Sequence, residues 1–132
     1  MIASGKFHPD ALFGDLGRQD CVLGIEFSGR DSSGRRVMGM LGGSGMATTV
    51  IPHPYFLWEV SDQWTLEQAS TIPIAYGTAY YALIVRGQMR AGESLLVHAG
   101  SGSVGQAAIS IALHMKCTVY TTVGSQKKQD SI

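Results

Sequence analysis

Gly100-Ser101-Gly102-Ser103-Val104-Gly105 fits the pattern G-x-G-x-x-G. It follows a short apolar run, Leu95-Leu96-Val97, and opens a segment with Val104, Ala108, Ile111, Ala112 and Met115 at helical spacing. A glycine turn between strand and helix leaves backbone N–H groups pointing outward at the positive end of the helix dipole. That geometry binds a pyrophosphate. In it Gly100 makes the tight turn, Gly102 lets phosphates approach the backbone, and Gly105 lets helix and strand pack closely. The chain holds 17 glycines in 132 residues, so the motif alone is weak and a plain glycine loop competes with it. Its weight comes from context: a strand before, a helix after, and a second strand-like run, Cys117 to Val123, beyond.

The same stretch points to a particular nucleotide. A cofactor with a free ribose 2′-OH meets an Asp or Glu about 20 residues after the motif, at the end of the second strand. No acidic residue stands between Glu93 and Asp130; Gly124-Ser125-Gln126-Lys127-Lys128 follows the strand instead. A hydroxyl and two ammonium groups suit a 2′-phosphate, so NADPH is expected over NADH. A solvated lysine pair is the competing reading.

Other reactive side chains have plainer expected roles. His98, at the end of the first strand, is expected to hydrogen-bond the loop rather than to catalyse. Tyr80 and Tyr81 lie in an apolar helical run and are expected in the core with satisfied hydroxyls. Cys117 reads as a buried, inert thiol, and Glu26 as structural support in a strand. Trp58 and Trp64 flank a change of character near Ser61 and are expected to pack there.

Composition excludes some functions. Ten Lys and Arg balance ten Asp and Glu, so no general field attracts nucleic acid or a membrane. No apolar run approaches the length of a membrane span. The opening MIASGKFHPD lacks the basic start and apolar core of a secretory signal. Cys21 and Cys117 sit in no metal or redox spacing, and reduced thiols in the cytoplasm are the expectation.

The elements that hold these residues read as follows. Residues 1–20 are turn-rich. Residues 21–30 are strand-like, Asp31 to Gly34 is a turn, and Arg35 to Leu41 returns as a hairpin. Met46 to Ile51 is expected as a third strand and Tyr55 to Val60 as a fourth, as in a small barrel. Thr65 and Gln68 are spaced for a capping box, and Pro73 ends that short helix. Ile74 to Arg86 is a second helix, apolar on most sides and therefore expected to be buried, with Gly87 as its C′ residue. Strand, helix and strand then follow in the order of a right-handed parallel crossover. A lone βαβ unit is not a complete sheet, so the chain is expected to be partial at both ends.

Several segments resemble the enoyl reductase region of animal-type fatty acid synthase, in the medium-chain dehydrogenase/reductase superfamily. They are DCVLGIEFSGRD (20–31), GRRVMGM (34–40), FLWEV (56–60), WTLEQAS (64–70), GTAYYALIVRG (77–87), and HAGSGSVGQAAISIAL followed by CTVYTTVGS (98–125). The resemblance implies an α/β fold: a partial GroES-like β-barrel on the substrate side over residues 1–62, then a helical connection and the first βαβ unit of an NADP-binding Rossmann domain over 63–132. It implies NADPH-dependent reduction of a trans-2-enoyl thioester carried on an acyl carrier domain, among other synthase domains of a homodimeric parent. By motif, Gly100, Ser101, Gly102, Ser103, Val104 and Gly105 would cradle the pyrophosphate. Ser125 and Lys128 would face the 2′-phosphate, and Thr78 would lie near the nicotinamide. The proton donors proposed in the family fall beyond Ile132, so no catalytic residue is assigned. Within enzymes, the alternatives are a stand-alone quinone-oxidoreductase-like reductase or the same module of a polyketide synthase. Outside them, the alternative is a non-catalytic remnant.

Zinc-dependent relatives carry G-H-E-x-x-G with the histidine as ligand. Here Gly24-Ile25-Glu26-Phe27-Ser28-Gly29 puts isoleucine, which has no donor atom, in that place, so no metal is expected. Three other positions depart from the family. Lys116 stands where a glycine usually ends the helix, Gln129 replaces an arginine, and Gly42-Gly43-Ser44-Gly45 alters a loop. If the backbone at Lys116 is left-handed, the lysine costs on the order of 1 kcal/mol.

Overall fold

The computed structural model describes residues 23–130. The expectations for residues 1–20 and for Cys21 lie outside the described residues. The chain divides after Thr71 into two compact units.

The first unit is built on an antiparallel sheet of three strands, β1 (Glu26–Arg30), β2 (Arg36–Met40) and β3 (Leu57–Glu59), in that order. The expected hairpin is present, with Arg30 opposite Arg36 across the turn. Asp31 organises that turn. One of its carboxylate oxygens accepts from the Ser33 and Arg35 amides at 2.9 and 3.0 Å, and the other accepts from Arg35 Nε at 2.8 Å. Hydrogen bonds from the Ser33 hydroxyl and from Arg35 hold the Asp31 carboxyl down to about 2. Gly34, at φ 84°, closes the reversal.

Residues 61–70 are fastened to this sheet. Thr65 caps α1 (Leu66–Ala69) in the expected capping box: its Oγ1 accepts from the Gln68 amide at 3.2 Å, and the Gln68 side chain accepts from the Thr65 amide at 2.9 Å. Ser28 Oγ donates to the Leu66 carbonyl at 2.5 Å, and Arg36 donates to the Trp64 carbonyl. Trp58 and Trp64 each leave 40% of their surface exposed.

The strand expected over Met46 to Ile51 is absent. The Gly45 and Met46 amides bond to the Gly24 and Leu23 carbonyls at 2.8 and 2.7 Å, and no ladder follows. Met46 is 73% and Ile51 94% exposed. Thr-Thr-Val-Ile has strand propensity, but it pairs with none of the described strands, and propensity alone does not make a strand. Tyr55 to Val60 divides into a 3-10 turn over Pro54–Phe56, whose start His53 caps, and β3.

The second unit contains α2 (Pro73–Tyr80), β4 (Ser94–Val97), α3 (Ser103–His114), β5 (Thr118–Thr121) and α4 (Gln126–Gln129). Pro73 starts α2 at N1, where its missing N–H costs nothing; α1 has already ended at Ala69. β4 and β5 pair in parallel, with Leu95 opposite Val119. The core joins Ala75 and Ala79 of α2, Val97 of β4, and Ala107 and Ala108 of α3. Small side chains on both helices let α2 and α3 pack closely.

Past Tyr80 the second helix departs from expectation. Residues Tyr81–Arg86 wind as a π-helix, and the Gly87 amide reaches back five residues to the Ala82 carbonyl at 2.8 Å. The wider turn moves the reversal one residue along: Gly87 has φ −79°, and Gln88, at φ 50°, is the left-handed residue. Gly87 is required for space, since a Cβ there would lie 2.9 Å from the Ala82 and Leu83 carbonyl oxygens. The helix is also less buried than its composition implies. Only Pro73, Ala75 and Ala79 are buried; Tyr80 and Tyr81 are 55% and 56% exposed and are not core residues. Ala75 and Ala79 enter the cluster with α3 and Val97 of β4.

Lys116, which ends the turn after α3, has φ 60°. Its left-handed backbone favours glycine, so Lys116→Gly is expected to raise stability by about 1 kcal/mol. Urea denaturation of both proteins checks this; an unchanged or lower midpoint would refute it.

Candidate cofactor site

Val97 at the end of β4 lies opposite Thr121 at the end of β5, so the loops that follow both strands leave from one edge of the sheet. Pairing continues past the strands. The Thr122 amide donates to the Val97 carbonyl, and the Gly100 amide to the Thr122 carbonyl, both at 3.1 Å. The glycine loop is thereby tied to the end of β5.

The three glycines have distinct reasons to be glycine. The left-handed residue of the turn is Ala99, at φ 56°, one residue before Gly100. Gly100 is needed for room: a Cβ there would run into Thr121 Oγ1 and come within 3.0 Å of Ile109 Cδ1. At Gly105 a Cβ would lie 2.6 Å from the Ala99 carbonyl oxygen and 2.8 Å from Gly100 Cα, so the close approach is of the helix to the loop after β4, where the motif reading expects helix against strand. At Gly102 the nearest atom, the Ala99 oxygen, would be 3.4 Å away, an ordinary contact, so the backbone there can be approached.

Gly102 is the N-cap of α3 (φ −78°, ψ 163°) and has no side chain to cap the helix. Its own amide donates to the Ala99 carbonyl at 2.9 Å, and the first helical bond runs from the Gln106 amide to the Gly102 carbonyl at 2.8 Å. The amides of Ser103, Val104 and Gly105 occupy the first turn, where no intrahelical acceptor exists. No acidic side chain lies in that turn. Amides with no side-chain cap at the positive end of a twelve-residue helix fit an anionic diphosphate.

Ser125 and Lys128 stand at the same strand-end edge, after β5. Ser125 is the N-cap of α4, yet its hydroxyl does not cap the helix, and Lys127 and Lys128 lie in the helix with exposed side chains. Gln126 Nε2 donates to Asp130 Oδ1 at 3.2 Å, fastening the acidic group at the far end of α4. Thr78 belongs to a different element, α2, and is exposed. His98 Nδ1 is 3.0 Å from Thr122 Oγ1, so its partner lies after β5 rather than in the glycine loop. Cys117 is buried, with Sγ 3.4 Å from the Arg90 carbonyl. Among the described residues no group of His, Cys, Asp and Glu could hold a metal ion, and no helix is long and apolar enough to cross a membrane. Thr121 and Thr122 were not singled out from sequence. Their only signal is two adjacent hydroxyls at the end of the second strand.

This architecture is that of the enoyl reductases and quinone oxidoreductases: part of a GroES-like domain followed by the start of a Rossmann domain, the fold class expected from sequence. The crystal structure of CurK enoyl reductase matches with a TM-score of 0.77 at 27% identity, over 86% of this chain and 37% of that one. A quinone oxidoreductase from Thermus thermophilus, solved also in complex with NADPH, matches with a TM-score of 0.73 at 32% identity, over 80% and 35%. Among curated relatives, the polyketide synthase GfsB of Streptomyces halstedii is 43% identical over 94 residues, 71% of this chain. Squalestatin tetraketide synthase of a Phoma species is 41% identical over 97 residues, 74% of this chain. The chain spans 2% and 4% of the lengths of these two relatives. No family model matches the chain. These likenesses support the medium-chain dehydrogenase/reductase superfamily, whose members matched here are enoyl reductases and quinone oxidoreductases.

Proposed function

We propose that this chain is part of the enoyl reductase region of a reducing polyketide synthase and that it takes NADPH. The observation that carries the reading is the edge at which β4 and β5 end. Amides of Ser103, Val104 and Gly105 with no side-chain cap follow β4 there, and Ser125 and Lys128 follow β5. The polyketide setting, the alternative in the sequence reading, fits the relatives better than the fatty acid synthase setting, because those reported are polyketide synthases. NADPH is supported by the complex of the Thermus relative and by the lack of any acidic side chain between Glu93 and Asp130.

In this reading the cofactor, when bound, would supply hydride for the β-carbon of an enoyl thioester presented by an acyl carrier domain of the same synthase, and a proton from a donor outside this chain would complete the α-carbon. This chain's residues bind and orient. The amides of 103–105 hold the diphosphate, with Gly102 leaving the approach open. Ser125 and Lys128 face the 2′-phosphate, and Thr78 lies toward the nicotinamide.

Lys128→Ala tests the nucleotide preference. A hydrogen bond involving a charge contributes roughly 1.5–3 kcal/mol, so NADPH affinity is expected to fall about tenfold or more while NADH affinity stays nearly constant. Calorimetric titration of both nucleotides into both proteins measures it. Equal losses for the two nucleotides would contradict the assignment.

A further inference from the structure

We propose that Thr122 is a positioning residue for the glycine loop and sets the affinity of the diphosphate cradle without touching the ligand. The proposal rests on the cofactor reading above. Four contacts meet at this residue. Its amide donates to the Val97 carbonyl and its carbonyl accepts from the Gly100 amide, both at 3.1 Å. Its Oγ1 accepts from the Ala99 amide at 3.4 Å and lies 3.0 Å from His98 Nδ1. Thr122 thus holds three successive loop residues, two of them through one hydroxyl.

The residue in the middle is the one that needs holding. Ala99 is left-handed without being glycine, a conformation that L side chains disfavour. Its carbonyl accepts from the Gly102 amide at 2.9 Å and faces Gly105 so closely that no Cβ fits between them. The placement of Ala99 therefore fixes where α3 begins and where the amides of 103–105 point. The chain of contacts runs from the Thr122 hydroxyl through Ala99 to the helix start.

The test replaces the hydroxyl by a methyl group of the same shape. Thr122→Val keeps the β-branched side chain and both main-chain bonds; Thr122→Ser keeps the oxygen. A neutral hydrogen bond contributes enough to change affinity about threefold to tenfold. Thr122→Val is expected to weaken NADPH and NADH alike by that factor, because both carry the diphosphate, and Thr122→Ser is expected to bind within about twofold of the parent. Lys128→Ala, by contrast, discriminates between the nucleotides. The proposal fails if Thr122→Val binds like the parent, if the Val and Ser variants weaken equally, or if only NADPH is affected.

Amide hydrogen exchange of the nucleotide-free chain separates this claim from the cofactor reading. If the parent binds neither nucleotide, the cofactor reading fails, and exchange alone decides the positioning role. Faster exchange of the Ala99 and Gly100 amides in Thr122→Val, restored in Thr122→Ser, supports it. Unchanged exchange overturns it.

Discussion

Gly105→Ala is expected to weaken NADPH binding by more than about tenfold and to lower stability by about 1–3 kcal/mol, the usual cost of forcing an extra carbon into a filled site. The new methyl group would meet the Ala99 carbonyl oxygen at 2.6 Å and Gly100 Cα at 2.8 Å. Both are backbone atoms, so no side-chain rotation relieves the clash. The helix must back away from the loop, and the amides of 103–105 move with it. Gly102→Ala is the control. Its methyl group meets only the Ala99 oxygen, at 3.4 Å, and its φ of −78° suits alanine. That variant is expected to keep its stability to within about 0.5 kcal/mol yet lose nucleotide affinity, because the methyl group stands where the phosphates approach. Denaturation midpoints with nucleotide titrations of both variants check the pair. Equal stability of the two variants, or undiminished binding by both, would contradict the close approach of α3 to the loop.

The second large effect falls in the first unit. Gly39 sits in the central strand β2, opposite Phe27 on one side and Leu57 on the other. A Cβ there would lie 2.5 Å from the Phe56 carbonyl oxygen and 2.7 Å from the tip of the Phe27 ring. The ring can swing away; the carbonyl, at the start of β3, cannot move without loosening the strand pairing. Gly39→Ala is expected to cost about 1–3 kcal/mol. Gly29→Ala, in the neighbouring strand with nothing within 4 Å of the new carbon, is expected to stay within about 0.5 kcal/mol of the parent. Chemical denaturation compares them, and similar midpoints for the two would refute the crowding at Gly39.

What could be read from sequence was what short-range chemistry decides. The hairpin followed from Asp31 to Gly34, the capping box from Thr65 and Gln68, and the strand–loop–helix–strand order from periodicity around the glycine motif. Lys116 stands where relatives usually place a glycine at the helix end, and its backbone is left-handed there. What could not be read depends on neighbours. Met46 to Ile51 has the residues of a strand, yet it forms no ladder with the described strands. Tyr80 and Tyr81 look like core, but Ala75 and Ala79 are the α2 residues that enter the buried cluster with α3, and the tyrosines stay more than half exposed. The π winding of Tyr81–Arg86 shifts the helix reversal from Gly87 to Gln88, which no local pattern signals. In the loop, Ala99 rather than a glycine takes the left-handed turn, because ties to Thr122 override the residue's own preference. Whether a module of this fold serves fatty acid or polyketide synthesis is not written in the loop at all.

The most direct measurement is amide NMR of the isotopically labelled chain as NADPH is added. The resonances of Ser103, Val104 and Gly105 are expected to shift most, with Ser125 and Lys128 responding to NADPH and not to NADH. Shifts confined to other parts of the chain, or none at saturating nucleotide, would show that the start of α3 does not hold the diphosphate.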